Sequence, residues 1–251
     1  MTGGTGGTGR MGRMGIGIVI ALAAILGTSI SLPAYPALPA RPAPLDQQTT
    51  QSKPKARLFP PLDLGLLEGA DRDQWQKPEE IMDALKIAEG SAVADLGAGG
   101  GWFTVRLARR VGQSGLVYAE DIQPLMIEAI KRRVQRENLT NVRTVLGTPK
   151  DSRLPPGLDA VLIVGAYHEM EDPVTLLKNA ADSLKPQGRI GVVDFTPGAG
   201  GPGPEPDQRV DAETVIRGAT AANLEIISRE TIPPFMFMLV LGKRPAARPT
   251  R

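Results

Sequence analysis

The sequence predicts an α/β fold, a doubly wound sheet of seven strands that is mostly parallel. Three observations carry this. Short apolar blocks alternate with segments whose apolar residues recur at helical spacing. Most of the blocks are apolar at nearly every position, as strands covered on both faces are. The first block ends in a glycine cluster, Gly97 to Gly101, where such a sheet places its ligand crevice.

The elements follow in order. Pro78-Glu79-Glu80 before Ile81, Met82 and Leu85 starts a helix, with proline in the first turn and acids at the positive end of the helix dipole. Ala92 to Leu96 is the first strand. Phe103, Leu107 and Val111 share one helix face, Leu116 to Ala119 is the second strand, and Ile127, Ile130 and Val134 mark the next helix. Val142 to Leu146 and Ala160 to Val164 are the third and fourth strands. Asp172-Pro173 reads as an N-cap with proline at N1, and Leu177, Ala181 and Leu184 continue that helix. Ile190 to Val193 is the fifth strand. Val215, Ile216 and Ala219 mark a helix, and Leu224 to Ser228 and Phe235 to Leu241 are the closing strands.

The chain has 251 residues, one histidine and no cysteine, with a net charge of +2. The missing thiols exclude disulfides, thiolate catalysis and iron–sulfur clusters, and one histidine argues against a transition-metal site. Residues 66–243 carry 20 Lys and Arg against 25 Asp and Glu, a balance of −5, while the two ends carry 9 against 2. An acidic body with basic ends removes the nucleic-acid reading that the overall charge suggests. The run Lys131-Arg132-Arg133 then reads as a solvated helix face.

Five regions result. Residues 1–13 are a low-complexity basic segment. Residues 14–32 are 19 residues without a charge, close to the roughly 20 that cross a bilayer, and read as a signal peptide or a membrane anchor. Residues 33–65 are a Pro-rich linker, 66–243 the folded α/β domain and 244–251 a basic tail. The expected location is membrane-anchored or exported, with the face of the membrane left open.

The first strand runs into Asp95-x-Gly97-x-Gly99-x-Gly101. Neither glycine register fits the dinucleotide fingerprint, because Trp102 or Thr104 stands where the third small residue belongs. No Lys-Ser/Thr pair follows, as a P-loop would need. A carboxylate at the strand end opposes a pyrophosphate and suits a ligand carrying an ammonium and a sulfonium. This loop resembles motif I of the class I S-adenosylmethionine-dependent methyltransferases. The similarity extends through Tyr118-Ala119-Glu120-Asp121 and the turn Leu184-Lys185-Pro186-Gln187-Gly188-Arg189. The resemblance implies a Rossmann-like sheet with an antiparallel last strand and S-adenosyl-L-methionine as cofactor. It implies Asp95, Gly97, Gly99 and Gly101 as the cofactor loop and Asp121, with Glu120 as second choice, as the ribose acid. The Gly97 to Asp121 spacing of 24 residues suits one strand–helix–strand unit. The adenine side falls on Thr148 and Asp151, although Thr148 replaces the family's usual acid. Arg72-Asp73-x-Trp75-Gln76-Lys77-Pro78 resembles the lead-in of a subgroup of small bacterial methyltransferases; Trp75 either lies across the cofactor or is plain packing.

Acceptor residues in this family follow the fourth strand, here Tyr167-His168-Glu169. His168 titrates near neutrality and can take a proton from the acceptor, and Tyr167 offers a ring wall and a phenol. The competing reading makes His168 structural, held by Glu169 or a backbone carbonyl. Asp194 ends the fifth strand and is a weaker pocket candidate. The loop from Thr196 to Asp207 is either a mobile cover or plain surface. The expected activity is methyl transfer to a small or lipid-like acceptor, without nucleic acid and with membrane contact through residues 14–32. A protein methyltransferase and a non-catalytic cofactor-binding module are the alternatives.

Overall fold

In a computed structural model of the chain, residues 58–245 are described. The predicted segment 14–32 and most of the linker lie outside them. Among the described residues no helix is long and apolar enough to cross a membrane.

The seven strands are β1 (Ala92–Leu96), β2 (Leu116–Asp121), β3 (Val142–Leu146), β4 (Leu158–Val164), β5 (Leu184–Phe195), β6 (Leu224–Ile232) and β7 (Met236–Lys243). They form one sheet in the order β3-β2-β1-β4-β5-β7-β6, and only β7 runs against its neighbours. This is the expected sheet, antiparallel strand included. The helices are α1 (Arg72–Gln76), α2 (Pro78–Ala84), α3 (Trp102–Val111), α4 (Pro124–Arg136), α5 (Pro173–Ser183) and α6 (Ala212–Ala221).

Strand alternation sorts the core onto two faces. Val93 packs with Phe103, Leu107 and Val111 of α3, whereas Ala94 and Leu96, on the other face of the strand, pack with Leu177 of α5 and Val215 of α6. Each fully buried leucine or valine here contributes roughly 1.5–3 kcal/mol. The α5 start is as expected: Asp172 accepts from the Thr175 N–H at 3.1 Å, a cap worth about 1 kcal/mol. Asp211 caps α6 through Thr214 in the same way.

Several boundaries differ from the sequence reading. The turn expected at Leu184–Arg189 is a bulge inside β5, with Leu158 facing Leu184 and Ala160 already facing Arg189. The β6 strand runs four residues further, because its pairing with β7 continues to Ile232. The last residues of the expected linker are not linker. Pro61–Leu67 forms a 3-10 helix against the body, where Arg133 of α4 is ion-paired with Glu68. Arg133 thereby leaves the solvated face that was expected of it, while Lys131 stays on it, paired with Glu128 at 2.8 Å.

The strand order places a switch between β1 and β4. From β1 the chain winds outward through β2 and β3, then returns to β4 on the other side. The crevice of an open parallel sheet lies there, beyond the carboxyl ends.

Candidate active site

A cavity of about 1010 Å³ occupies this crevice. Its floor is the glycine loop. Gly97, Gly99 and Gly101 have φ of +74°, +55° and +79°, values that side chains rarely adopt. A Cβ on Gly97 would stand 2.6 Å from that of Ala166, so this glycine keeps the loop and the β4 end in contact. Gly97 and Gly99 line the cavity. Gly101 does not; it turns the chain into α3 beside Ile130 and Arg133.

Three carboxylates ring the loop. Asp95 is buried at the end of β1 and accepts from Thr104 Oγ1 at 2.6 Å. Burial pushes it up to about 6, against the pull of that hydrogen bond and of the Arg72 charge. Glu120 is pushed up to about 8, chiefly by burial, although the Gly97 N–H donates to it at 3.3 Å. Asp121 is raised too, by burial, against N–H groups of Gly99 and Gln123 that donate at 3.0 and 2.9 Å. All three line the cavity. A Cβ on Gly147 would collide with the Glu120 carboxylate, so this glycine clears space for it. Buried carboxylates held above their ordinary range favour a cationic or hydroxyl-rich ligand. The open glycine floor and these three acids fit S-adenosyl-L-methionine, with its sulfonium, ammonium and ribose.

The opposite wall comes from the 3-10 turn Tyr167–Glu169 after β4. His168 Nδ1 lies 2.9 Å from Asp194 Oδ1, and the His168 N–H donates to Oδ2 at 3.2 Å. The Asp194 side chain is wholly buried and that of His168 only 6% exposed. Nε2 stands 3.7 Å from Glu169 Oε1. Burial pulls the imidazole down, but the Asp194 hydrogen bond and charge outweigh it and leave His168 above its ordinary value. His168 and Glu169 both line the cavity. The principal partner of His168 is therefore Asp194, not the Glu169 or carbonyl expected. The weaker pocket candidate becomes the group that orients the imidazole.

Tyr167 does not share this wall. The short 3-10 turn sends neighbouring side chains apart, and the tyrosine ring is buried in the core with Leu177 and Val215. A Cβ on Gly218 would strike its hydroxyl, and burial pushes the phenol up to about 12. Thr148 and Asp151 also miss the cavity. They close their own turn, with the Thr148 N–H donating to the Asp151 carbonyl at 2.8 Å, and Pro149 lines the cavity instead. Trp75 packs on Phe195 and Phe235, each with ring centroids 6.2 Å away, so packing accounts for it. The loop after β5 is pinned: Arg209 donates to the carbonyls of Thr196, Gly200, Pro202 and Pro204.

Residues 58–68 were not expected at the site. Phe59 is clasped from both sides of the crevice. Its N–H donates to Glu169 Oε2 at 2.9 Å and its carbonyl accepts from Gln123 Nε2 at 3.1 Å. Leu64 touches the glycine loop at Gly100. The Pro-rich composition of residues 33–65 masked this segment.

Residues 93–188 match the sequence model of a family described as a methyltransferase domain. The chain is 36% identical over 135 residues to an uncharacterized methyltransferase of Mycobacterium tuberculosis, covering 53% of this chain and 51% of that protein. It is 28% identical over 118 residues to a demethylmenaquinone methyltransferase of a Geobacillus species, covering 47% and 50%. It thus spans about half the length of these curated relatives. A SAM-dependent methyltransferase of Aquifex aeolicus has a similar structure, with a TM-score of 0.70, 23% identity, and coverage of 73% of this chain and 98% of that one.

Proposed function

We propose a function from one premise: the chain carries a class I S-adenosylmethionine-dependent methyltransferase domain. On that premise it moves a methyl group to a small, lipophilic acceptor whose proton is taken by His168. The observation that carries this reading is that His168, held by the buried Asp194 behind it, lines the same cavity as the glycine loop.

When bound, S-adenosyl-L-methionine supplies an electrophilic methyl group on a sulfonium. Asp95 would face its cationic end, and Asp121 or Glu120 would accept from the ribose hydroxyls. Asp194 holds Nδ1 as the protonated nitrogen, which leaves the Nε2 lone pair for the acceptor's hydroxyl or activated C–H. His168 would take that proton on Nε2, and the buried Asp194 carboxylate would stabilise the imidazolium so formed. The 3-10 segment and the pinned loop after β5 exclude water and align the partners.

A lipophilic acceptor is supported by the apolar share of the wall, Phe59, Leu64, Phe195 and Met170 among it. The names of two relatives agree: the demethylmenaquinone enzyme, and a ubiquinone biosynthesis O-methyltransferase of Schizosaccharomyces pombe, 31% identical over 113 residues. The charge-free run at 14–32 supports an envelope location, where such acceptors reside. The test is transfer from methyl-tritiated S-adenosylmethionine, with lipid, protein and water-soluble fractions counted separately. Label in the lipid extract is expected. Label in protein alone, or in no fraction, overturns the acceptor class.

A further inference from the structure

Two guanidinium groups sit on one indole. Arg106 lies 3.3 Å from the centre of the Trp102 ring and Arg72 lies 4.1 Å from it. Their charges are treated differently. Arg106 has a bidentate partner in Asp73, at 2.8 and 2.7 Å. Arg72 donates only to neutral oxygens, the Leu67 carbonyl and Gln76 Oε1, and among the described residues no carboxylate pairs with it directly. The two carboxylates whose charge reaches it are engaged elsewhere, Asp73 with Arg106 and Asp95 with Thr104. Burial and the neighbouring Arg106 lower Arg72 to about 10. A half-buried guanidinium held in place without an ion-pair partner is a seat for an incoming anion.

Arg72 also lines the same cavity as Asp95 and Gly97. An acid and a base on one wall complement a zwitterion. We infer that Arg72 seats the carboxylate of the ligand's α-amino acid end, with Asp95 facing the adjacent ammonium. The inference rests on the cofactor reading above and adds a residue from α1, outside the glycine motif. Trp102 fixes the plane of the fork, and the Leu67 and Gln76 contacts fix its rotation. A guanidinium so held offers its remaining donors in one direction. The position explains why the 3-10 helix must close on the body: its last residue, Leu67, supplies one of those contacts.

The experiment compares ligands on the full chain by calorimetric titration. S-adenosylmethionine and its decarboxylated analogue both keep the ammonium and the sulfonium, so they differ only in the carboxylate. The analogue is expected to bind about 10- to 100-fold more weakly, the range of a charged hydrogen bond. In Arg72→Gln that preference is expected to vanish, with the analogue's own affinity unchanged, and Arg72→Lys is expected to restore part of it. Equal affinities in the wild-type chain overturn the inference, a result that does not depend on any variant folding. A preference that survives in Arg72→Gln overturns it too. If neither ligand binds the wild-type chain, the cofactor reading itself fails.

Discussion

Replacing Asp194 with Asn separates charge from shape at the proposed base. Asn keeps an acceptor near His168 Nδ1, now 2.9 Å from Asp194 Oδ1, but removes the negative charge. Asp194 Oδ1 also accepts from the Phe195 N–H at 2.7 Å, an arrangement that Asn can preserve. The amide nitrogen then replaces Oδ2, which accepts from the His168 N–H at 3.2 Å, so the loss is that bond together with the charge-assisted part of the Nδ1 bond, about 2–4 kcal/mol. At ~2–4 °C per kcal/mol this lowers Tm by about 4–16 °C. The effect on titration is more specific. Burial pulls His168 down, and without Asp194 only Glu169 at 3.7 Å opposes it. The acid limb of kcat/KM therefore moves to lower pH, because the base must be neutral, and the plateau falls about tenfold or more as the imidazolium loses its stabilising charge. Stability runs the other way. A raised His168 stabilises the fold below its unfolded value near 6.5, and this contribution is lost as pH rises through the folded value. Wild-type Tm should thus decline over the window in which activity climbs, and Asp194→Asn should flatten that decline. A pH–rate series with parallel thermal melts reads both. An acid limb that does not move, at an undiminished plateau, refutes the dyad.

Other outcomes follow from the same geometry. Gly97→Ala meets Ala166 and a φ of +74°, so a loss of about 1–3 kcal/mol and of S-adenosylhomocysteine binding is expected by melting and titration. Glu120 is raised to about 8, so ligand-free stability falls as pH rises from its unfolded range toward 8; Glu120→Gln should melt higher than wild type at pH 9 and alike at pH 4. Arg209→Ala removes the donors that hold four carbonyls, and limited proteolysis should then cut between 196 and 207, where the wild type resists.

The sheet was legible because its strands are apolar blocks and its helices carry a clear period. The glycine loop and the acids at the β2 end were legible because their chemistry is local in the sequence. What was missed depends on where side chains point. Tyr167 and His168 are neighbours, yet one faces the core and the other the cavity; nothing in residue type distinguishes them before the 3-10 turn is known. Thr148 and Asp151 fall at the right strand end but satisfy each other. His168 and Asp194 are 26 residues apart and meet because β4 and β5 pair in parallel, Val164 against Val193, which sets both positions just beyond one shared edge. That pairing was available from the strand assignments, since residues beyond adjacent parallel ends lie close. The 3-10 helix Pro61–Leu67 left no such signal, because Leu62 and Leu64 were read within a Pro-rich stretch that split the helix from the domain, and Arg72 drew notice only as part of a lead-in.

In the proposed mechanism His168 takes the acceptor's proton in a cavity that fits S-adenosylmethionine. Single-turnover methyl transfer by His168→Gln, measured beside S-adenosylhomocysteine binding across pH, tests it most directly. The rate is expected to fall about 10²-fold or more with the acid limb abolished, while the ligand's Kd stays at the wild-type value. Wild-type rates at every pH would contradict it.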